Sequence, residues 1–93
     1  MVITKNKNIV VRKVHGSFFL VDIADDYSGD KCALYEINET GSFIWNSIND
    51  ARTAEQLTLL LKHAIIENID YQILYDDVTE FLDSLAARKF VEI

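Results

Sequence analysis

Few side chains in this chain are suited to nucleophilic or acid–base chemistry. Cys32 is the only cysteine, and His15 and His63 are the only imidazoles. A reactive thiol needs a base or a cation beside it, and no spacing brings Cys32 to either histidine. His63 falls among leucines in a stretch of helical period, where a surface or boundary imidazole is the ordinary case. A closed metal site would need more histidine and cysteine ligands than the chain has. The acidic run Asp25-Asp26-Tyr27-Ser28-Gly29-Asp30 suggests a calcium loop, because Glu36 stands twelfth from Asp25. Such a loop needs oxygen ligands at its third and fifth positions and glycine at its sixth. Tyr27, Gly29 and Asp30 stand there instead. Catalysis, a metal and a cofactor are all unexpected.

Charge narrows the class of partner. Fifteen acidic residues against nine basic ones give a formal net charge of −6. Nucleic-acid affinity comes largely from Lys and Arg displacing counterions, so an acidic body has no electrostatic reason to approach phosphates. Anionic membrane surfaces are disfavoured on the same ground. A partner of basic or mixed charge fits better. No segment reads as a signal peptide or a membrane span, so the expected compartment is the cytoplasm. A length of 93 residues with 49% hydrophobic and 26% charged residues suits one folded domain over residues 1–93. Monomer and dimer both suit such a domain, since exposed sheet edges can pair or swap.

The elements follow from local period. Residues 9–14 and 18–23 are rich in β-branched types and flank His15-Gly16-Ser17, which predicts a hairpin with a short glycine-containing connection. After the acidic turn, residues 31–37 read as a third strand, with Tyr35 and Ile37 on one side and Glu36 on the other. From Asn38 the period becomes helical. Asn38 is placed to cap a first helix, on which Gly41, Ile44, Trp45 and Ile48 recur. Thr53 and Gln56 form a capping-box pattern that opens a second helix with the stripe Leu57, Leu60, Leu61, Ala64 and Ile65. Asp70 is the expected cap of a third helix running towards Arg88, with Leu74, Val78, Phe81, Leu82 and Leu85 on its apolar side. Phe90-Val91-Glu92-Ile93 forms an extended tail. The fold class is α+β: a three-stranded antiparallel sheet followed by three helices.

The block Leu34-Tyr35-Glu36-Ile37-Asn38-Glu39-Thr40-Gly41-Ser42-Phe43-Ile44-Trp45 resembles the signature of the PqqD-like family, the RiPP recognition elements. In that pattern an apolar strand end precedes Asn-x-Thr-Gly and an apolar-Trp pair. Residues 52–57 and 77–85 are similar to the starts and stripes of the family's second and third helices. The resemblance covers roughly residues 10–93. It departs at Arg88-Lys89-Phe90, where the family commonly has glycine. The resemblance implies a winged helix-turn-helix-like fold and a leader-peptide-binding role without catalysis. The precursor peptide's leader would lie as an added strand against the third strand, in a groove walled by the third helix. The implied partner is a modifying enzyme, such as a radical S-adenosylmethionine enzyme or a leader peptidase.

The residues suit that role. A free strand edge offers unpaired N–H and C=O groups that an extended peptide can satisfy. The edge falls on Lys31, Cys32, Ala33, Leu34, Tyr35 and Glu36. On the third helix Asp77, Phe81, Ser84 and Arg88 follow i, i+4, i+7, i+11 spacing, which gives one aromatic contact and charges of both signs. The plainer readings are a third strand whose edge the chain's own tail covers, and Phe81 as core with the others as its solvated rim. Asn38, Thr40, Gly41 and Trp45 carry the signature but are assigned to structure, with Gly41 allowing close approach of another backbone. Leu59 and Ile66 lie away from the second helix's stripe and form either a docking patch or scattered exposed apolar residues.

Two other functions compete. A winged-helix DNA binder should carry Lys or Arg on the outer face of its third helix, and here that face carries Asp76, Glu80 and Asp83. A general protein-interaction module would need no leader peptide at all.

Overall fold

Hairpin formation is settled by two residues. In the computed structural model, which describes residues 2–23, 35–48, 52–65 and 67–93, β2 (Ile9–Val14) and β3 (Ser17–Asp22) are antiparallel with Val14 opposite Ser17. His15 and Gly16 alone turn the chain, with φ of 51° and 83°. Positive φ at both central residues matches the right-handed twist of the flanking strands. Ser17 therefore belongs to the strand, not to the connection.

The third strand, β4 (Tyr35–Ile37), pairs antiparallel with β3 and sets the sheet order β2-β3-β4. Residues 31–34, expected in the same strand, lie outside the described residues. The register puts Val11, Leu20 and Tyr35 on one face, along with Phe18 and Ile37. That face turns to the core, where Leu20 is fully buried. Phe19 and Glu36 stand on the other face.

A second small sheet is absent from the sequence reading. β1 (Val2–Lys5) lies between β5 (Arg52–Thr53) and β6 (Val91–Glu92), antiparallel to both. The C-terminal tail is thus a strand, and its partner is β1 and not β4. Lys5 lies 4.9 Å from the centroid of the buried Trp45 ring, and burial lowers the pKa of its ammonium.

Three helices complete the fold. α1 (Glu39–Ser47) starts at Asn38, whose side-chain oxygen accepts from the Gly41 N–H at 2.7 Å. α2 (Ala54–Ala64) opens with a reciprocal capping box: the Thr53 N–H donates to Gln56 Oε1 at 2.9 Å, and the Gln56 N–H to Thr53 Oγ1 at 3.1 Å. Its buried side comprises Leu57, Thr58 and Leu61, while Ala64 is exposed, contrary to the expected stripe. Thr58 satisfies its hydroxyl on the Ala54 carbonyl at 2.8 Å. α3 (Tyr71–Ala87) buries Leu74, Val78, Leu82 and Leu85. Asp70 precedes it, but its carboxylate makes no capping hydrogen bond, which corrects the expected cap.

α3 ends in a Schellman motif. Phe90 N–H donates to the Leu85 carbonyl at 2.9 Å and Lys89 N–H to that of Ala86 at 3.0 Å. Lys89 takes the left-handed conformation, φ 63°, that glycine usually supplies at this position. No helix among the described residues is long and apolar enough to cross a membrane.

Candidate functional site

β4 carries two of the expected site residues, and one of its edges is unpaired among the described residues. Among the described residues it pairs with β3 alone, and the tail that could have covered its other side is committed to β1. Among the described residues, no further strand lies on the outer edge of Tyr35, Glu36 and Ile37.

α3 approaches β4 at two points. At the Tyr35 end, the Arg88 guanidinium lies 4.4 Å from the Tyr35 ring centroid. Phe90 meets the same ring edge-to-face, with centroids 5.9 Å apart. At the Ile37 end stands Phe81. A Cβ placed on Gly41 would be 3.2 Å from Phe81 Cζ and 3.2 Å from Ile37 Cβ, so ring, strand end and helix meet at this point. Gly41 therefore makes room for a side chain, not for a second backbone. Ser84 lies on the helix between these two ends.

Asp77, Glu80, Phe81 and Ser84 line an open depression of about 290 Å³ on this flank. Three of the four expected α3 residues thus share one surface, and the fourth, Arg88, is joined to β4 by stacking. Phe81 is half-buried and packs against the core. Ser84 donates its hydroxyl to the Glu80 carbonyl at 3.1 Å, which leaves it an acceptor towards a ligand. Lys31, Cys32, Ala33 and Leu34 lie outside the described residues, as does Ile66. Leu59 is exposed on α2. His15 on the hairpin turn and His63 on α2 are also exposed.

Two features were not read from the sequence. One is the Arg88-Tyr35-Phe90 stack, which joins residues distant in sequence. The other is a cavity of about 340 Å³ between the three helices, adjoining the depression and sharing Asp77 and Phe81 with it. Its sequence signal is slight: Ile69, an apolar residue beyond the end of α2 that belongs to neither helical stripe.

Comparison with known proteins gives a family match and structural neighbours. A family model described as coenzyme PQQ synthesis protein D (PqqD) matches residues 27–91. No curated protein matches the chain. TbiB1 in complex with the TbiA(beta) leader peptide is similar at TM-score 0.73 and 16% identity, covering 96% of this chain and 94% of that one. Lasso peptide synthetase B1 complexed with the leader peptide is similar at TM-score 0.72 and 15% identity, covering 98% of each chain. The solution structure of the PqqD truncation of Methylobacterium extorquens PqqCD, described as a functional and stand-alone RiPP recognition element, is similar at TM-score 0.75 and 14% identity. It covers 99% of this chain and 89% of that chain. At these identities the likeness speaks for a common fold.

Proposed function

Since the chain belongs to the PqqD family, we propose that it is a non-catalytic module that binds the leader of a ribosomally synthesised precursor peptide. Residues 1–93 form one such domain, acting in the cytoplasm. The leader adds as a strand to the open edge of β4 and is held there for a modifying enzyme, such as a radical S-adenosylmethionine enzyme or a leader peptidase. The carrying observation is a β4 edge, beside the α3 flank, that no described strand covers, with the C-terminal strand paired elsewhere. The structures similar to this chain include two bound to leader peptides, which supports the reading.

Main-chain hydrogen bonds at a strand edge give affinity without regard to sequence, and side-chain contacts on alternate residues set the register. Phe81 offers the apolar contact, Asp77 and Glu80 attract a cation, and the Ser84 hydroxyl accepts. On the strand side, Lys31, Cys32, Ala33 and Leu34 would extend the edge formed by Tyr35 and Glu36. Arg88 stacks on Tyr35 and brings a positive charge to the far end. Ordering about six peptide residues costs conformational entropy, so an affinity on the order of 1 µM, about −8 kcal/mol, is expected. Tethering then raises the concentration of the attached core peptide at the enzyme.

Calorimetric titration tests this reading, using the leader half of any short peptide encoded beside the gene. A one-to-one curve that disappears when the peptide is scrambled is expected. Tyr35→Pro, which fixes φ and removes an N–H from the edge strand, should abolish binding in a protein that circular dichroism shows to be folded. Undiminished binding by that variant would exclude β4 as the docking edge.

A further inference from the structure

One face of the β2–β3 hairpin is apolar although it turns away from the core. The register sets Val10 opposite Val21, Arg12 opposite Phe19 and Val14 opposite Ser17 on that face. Val10, Phe19 and Val21 are half-buried, and Val14 is 49% exposed. None of these four is among the residues packed against the core. The outward face of an antiparallel sheet ordinarily carries polar residues in alternation with the buried ones. Here the polar exceptions are Arg12, Ser17 and, continuing the Arg12–Phe19 row onto β4, Glu36.

Charge is segregated onto the same part of the chain. Residues 2–23 hold four cations, Lys5, Lys7, Arg12 and Lys13, against one carboxylate, Asp22. The chain as a whole stands at −6, so the acidic excess lies entirely outside this segment. Lys7, Arg12 and Lys13 are exposed. Among the described residues, the Arg12 guanidinium has one hydrogen bond, to the neighbouring Val11 carbonyl at 3.2 Å, and no carboxylate partner. An aromatic and an arginine among valines is the composition of protein interfaces, whose centres are enriched in aromatic residues and Arg. The positive field around them selects a partner of opposite charge.

The same charges argue against other occupants. A second copy packed on this face across a two-fold axis would bring its own basic hairpin against this one. Nucleic acid is disfavoured by the acidic excess of the whole chain. The leader is assigned to β4, and β2 is the strand at the opposite edge of that sheet. Resting on the leader-binding reading, we infer that the outward face of the hairpin docks the modifying enzyme. The patch it meets on that enzyme has an apolar centre and an Asp or Glu that pairs with Arg12. Six residues at about 3.3 Å each give a strip roughly 20 Å long, which suits a transient contact. Peptide and enzyme then use opposite edges of one sheet and are held together without competing.

Biolayer interferometry tests this, with any modifying enzyme encoded beside the gene immobilised and the full chain as analyte. Val14→Asp and Arg12→Glu alter exposed positions and should each weaken enzyme binding about tenfold. Leader affinity, read by calorimetry, should stay within about twofold for both. Leu59→Asp makes a like change on the exposed side of α2 and should leave both affinities as they were. Enzyme binding that ignores both hairpin substitutions, or falls equally in Leu59→Asp, would overturn the docking face and leave leader recognition standing. So would an enzyme that fails to bind the unsubstituted chain. Loss of leader and enzyme together, in variants that circular dichroism shows to be folded, would make the hairpin part of the peptide site and overturn the inference. Hairpin-dependent enzyme binding by a chain that takes up no leader would overturn the leader reading alone. A doubled mass in light scattering that Val14→Asp abolishes would assign the face to a second copy. Duplex binding that Arg12→Glu abolishes would assign it to nucleic acid, and either result overturns the enzyme as occupant.

Discussion

Phe81 can rest against α1 because residue 41 has no side chain. A methyl there would meet Phe81 Cζ and Ile37 Cβ at 3.2 Å and Asn38 Oδ1 at 3.3 Å, inside the optimal carbon separation of about 3.5–4.0 Å. The ring could swing aside, but Ile37 Cβ is fixed to the strand and Asn38 is held by its cap. Gly41→Ala would gain up to about 1 kcal/mol in helix propensity, less in a first turn. Crowding costs about 1–3 kcal/mol, so a net loss of about 1 kcal/mol is expected in chemical denaturation, with weaker leader binding as Phe81 is displaced. Lys89 is the opposite case. It holds φ 63° in the Schellman turn, a conformation that costs an L-residue about 1–2 kcal/mol. The motif forms regardless, because Phe90 is buried beside Leu85 and anchors the turn. Lys89→Gly should therefore stabilise the fold by about 1 kcal/mol, read as a higher denaturation midpoint with unchanged slope.

Elements whose cause is local were legible in the sequence. The hairpin rests on a glycine between two β-branched runs, and the α2 start on Thr53 and Gln56 three residues apart. The apolar side of α3 rests on a period that survives in Leu74, Val78, Leu82 and Leu85. Asp70 has the right residue type for a cap but makes no capping bond, since residue type does not fix the side-chain torsion. That contrast is measurable. Thr53→Ala removes one side of a reciprocal pair and should cost about 1 kcal/mol, whereas Asp70→Ala should change stability by less than about 0.5 kcal/mol. Similar losses for both would mean that Asp70 caps α3 in solution. β1, β5 and β6 were not legible as a sheet. Strands of two to four residues carry no period, and β1 finds its partners between α1 and α2 and after α3. The same holds for the site: the i, i+4, i+7, i+11 flank of α3 could be read, but its apposition to β4 and the three-helix cavity depend on packing between distant segments.

The whole molecule has the outline of a winged helix and the charge of something else. A fold of this kind that reads DNA presents a basic helix to the groove. Here the exposed outer face of α3 carries Asp76, Asp77, Glu80 and Asp83 on a body of net charge −6. Phosphates spaced along a duplex would meet repulsion with no counterions to release by Lys or Arg. The same field attracts a basic peptide and speeds its encounter, an effect that fades as salt shortens the screening length to about 8 Å at 0.15 M. Two titrations followed by fluorescence anisotropy separate these roles. A labelled DNA duplex at low salt should give no saturable binding. A labelled leader carrying Lys or Arg should bind, losing affinity severalfold between 20 mM and about 0.5 M salt but not all of it, because main-chain pairing and apolar contacts are not screened. Tight duplex binding would reverse the assignment of the acidic face. Complete loss of the leader at high salt would mean that charge alone, without the β4 edge, holds the peptide.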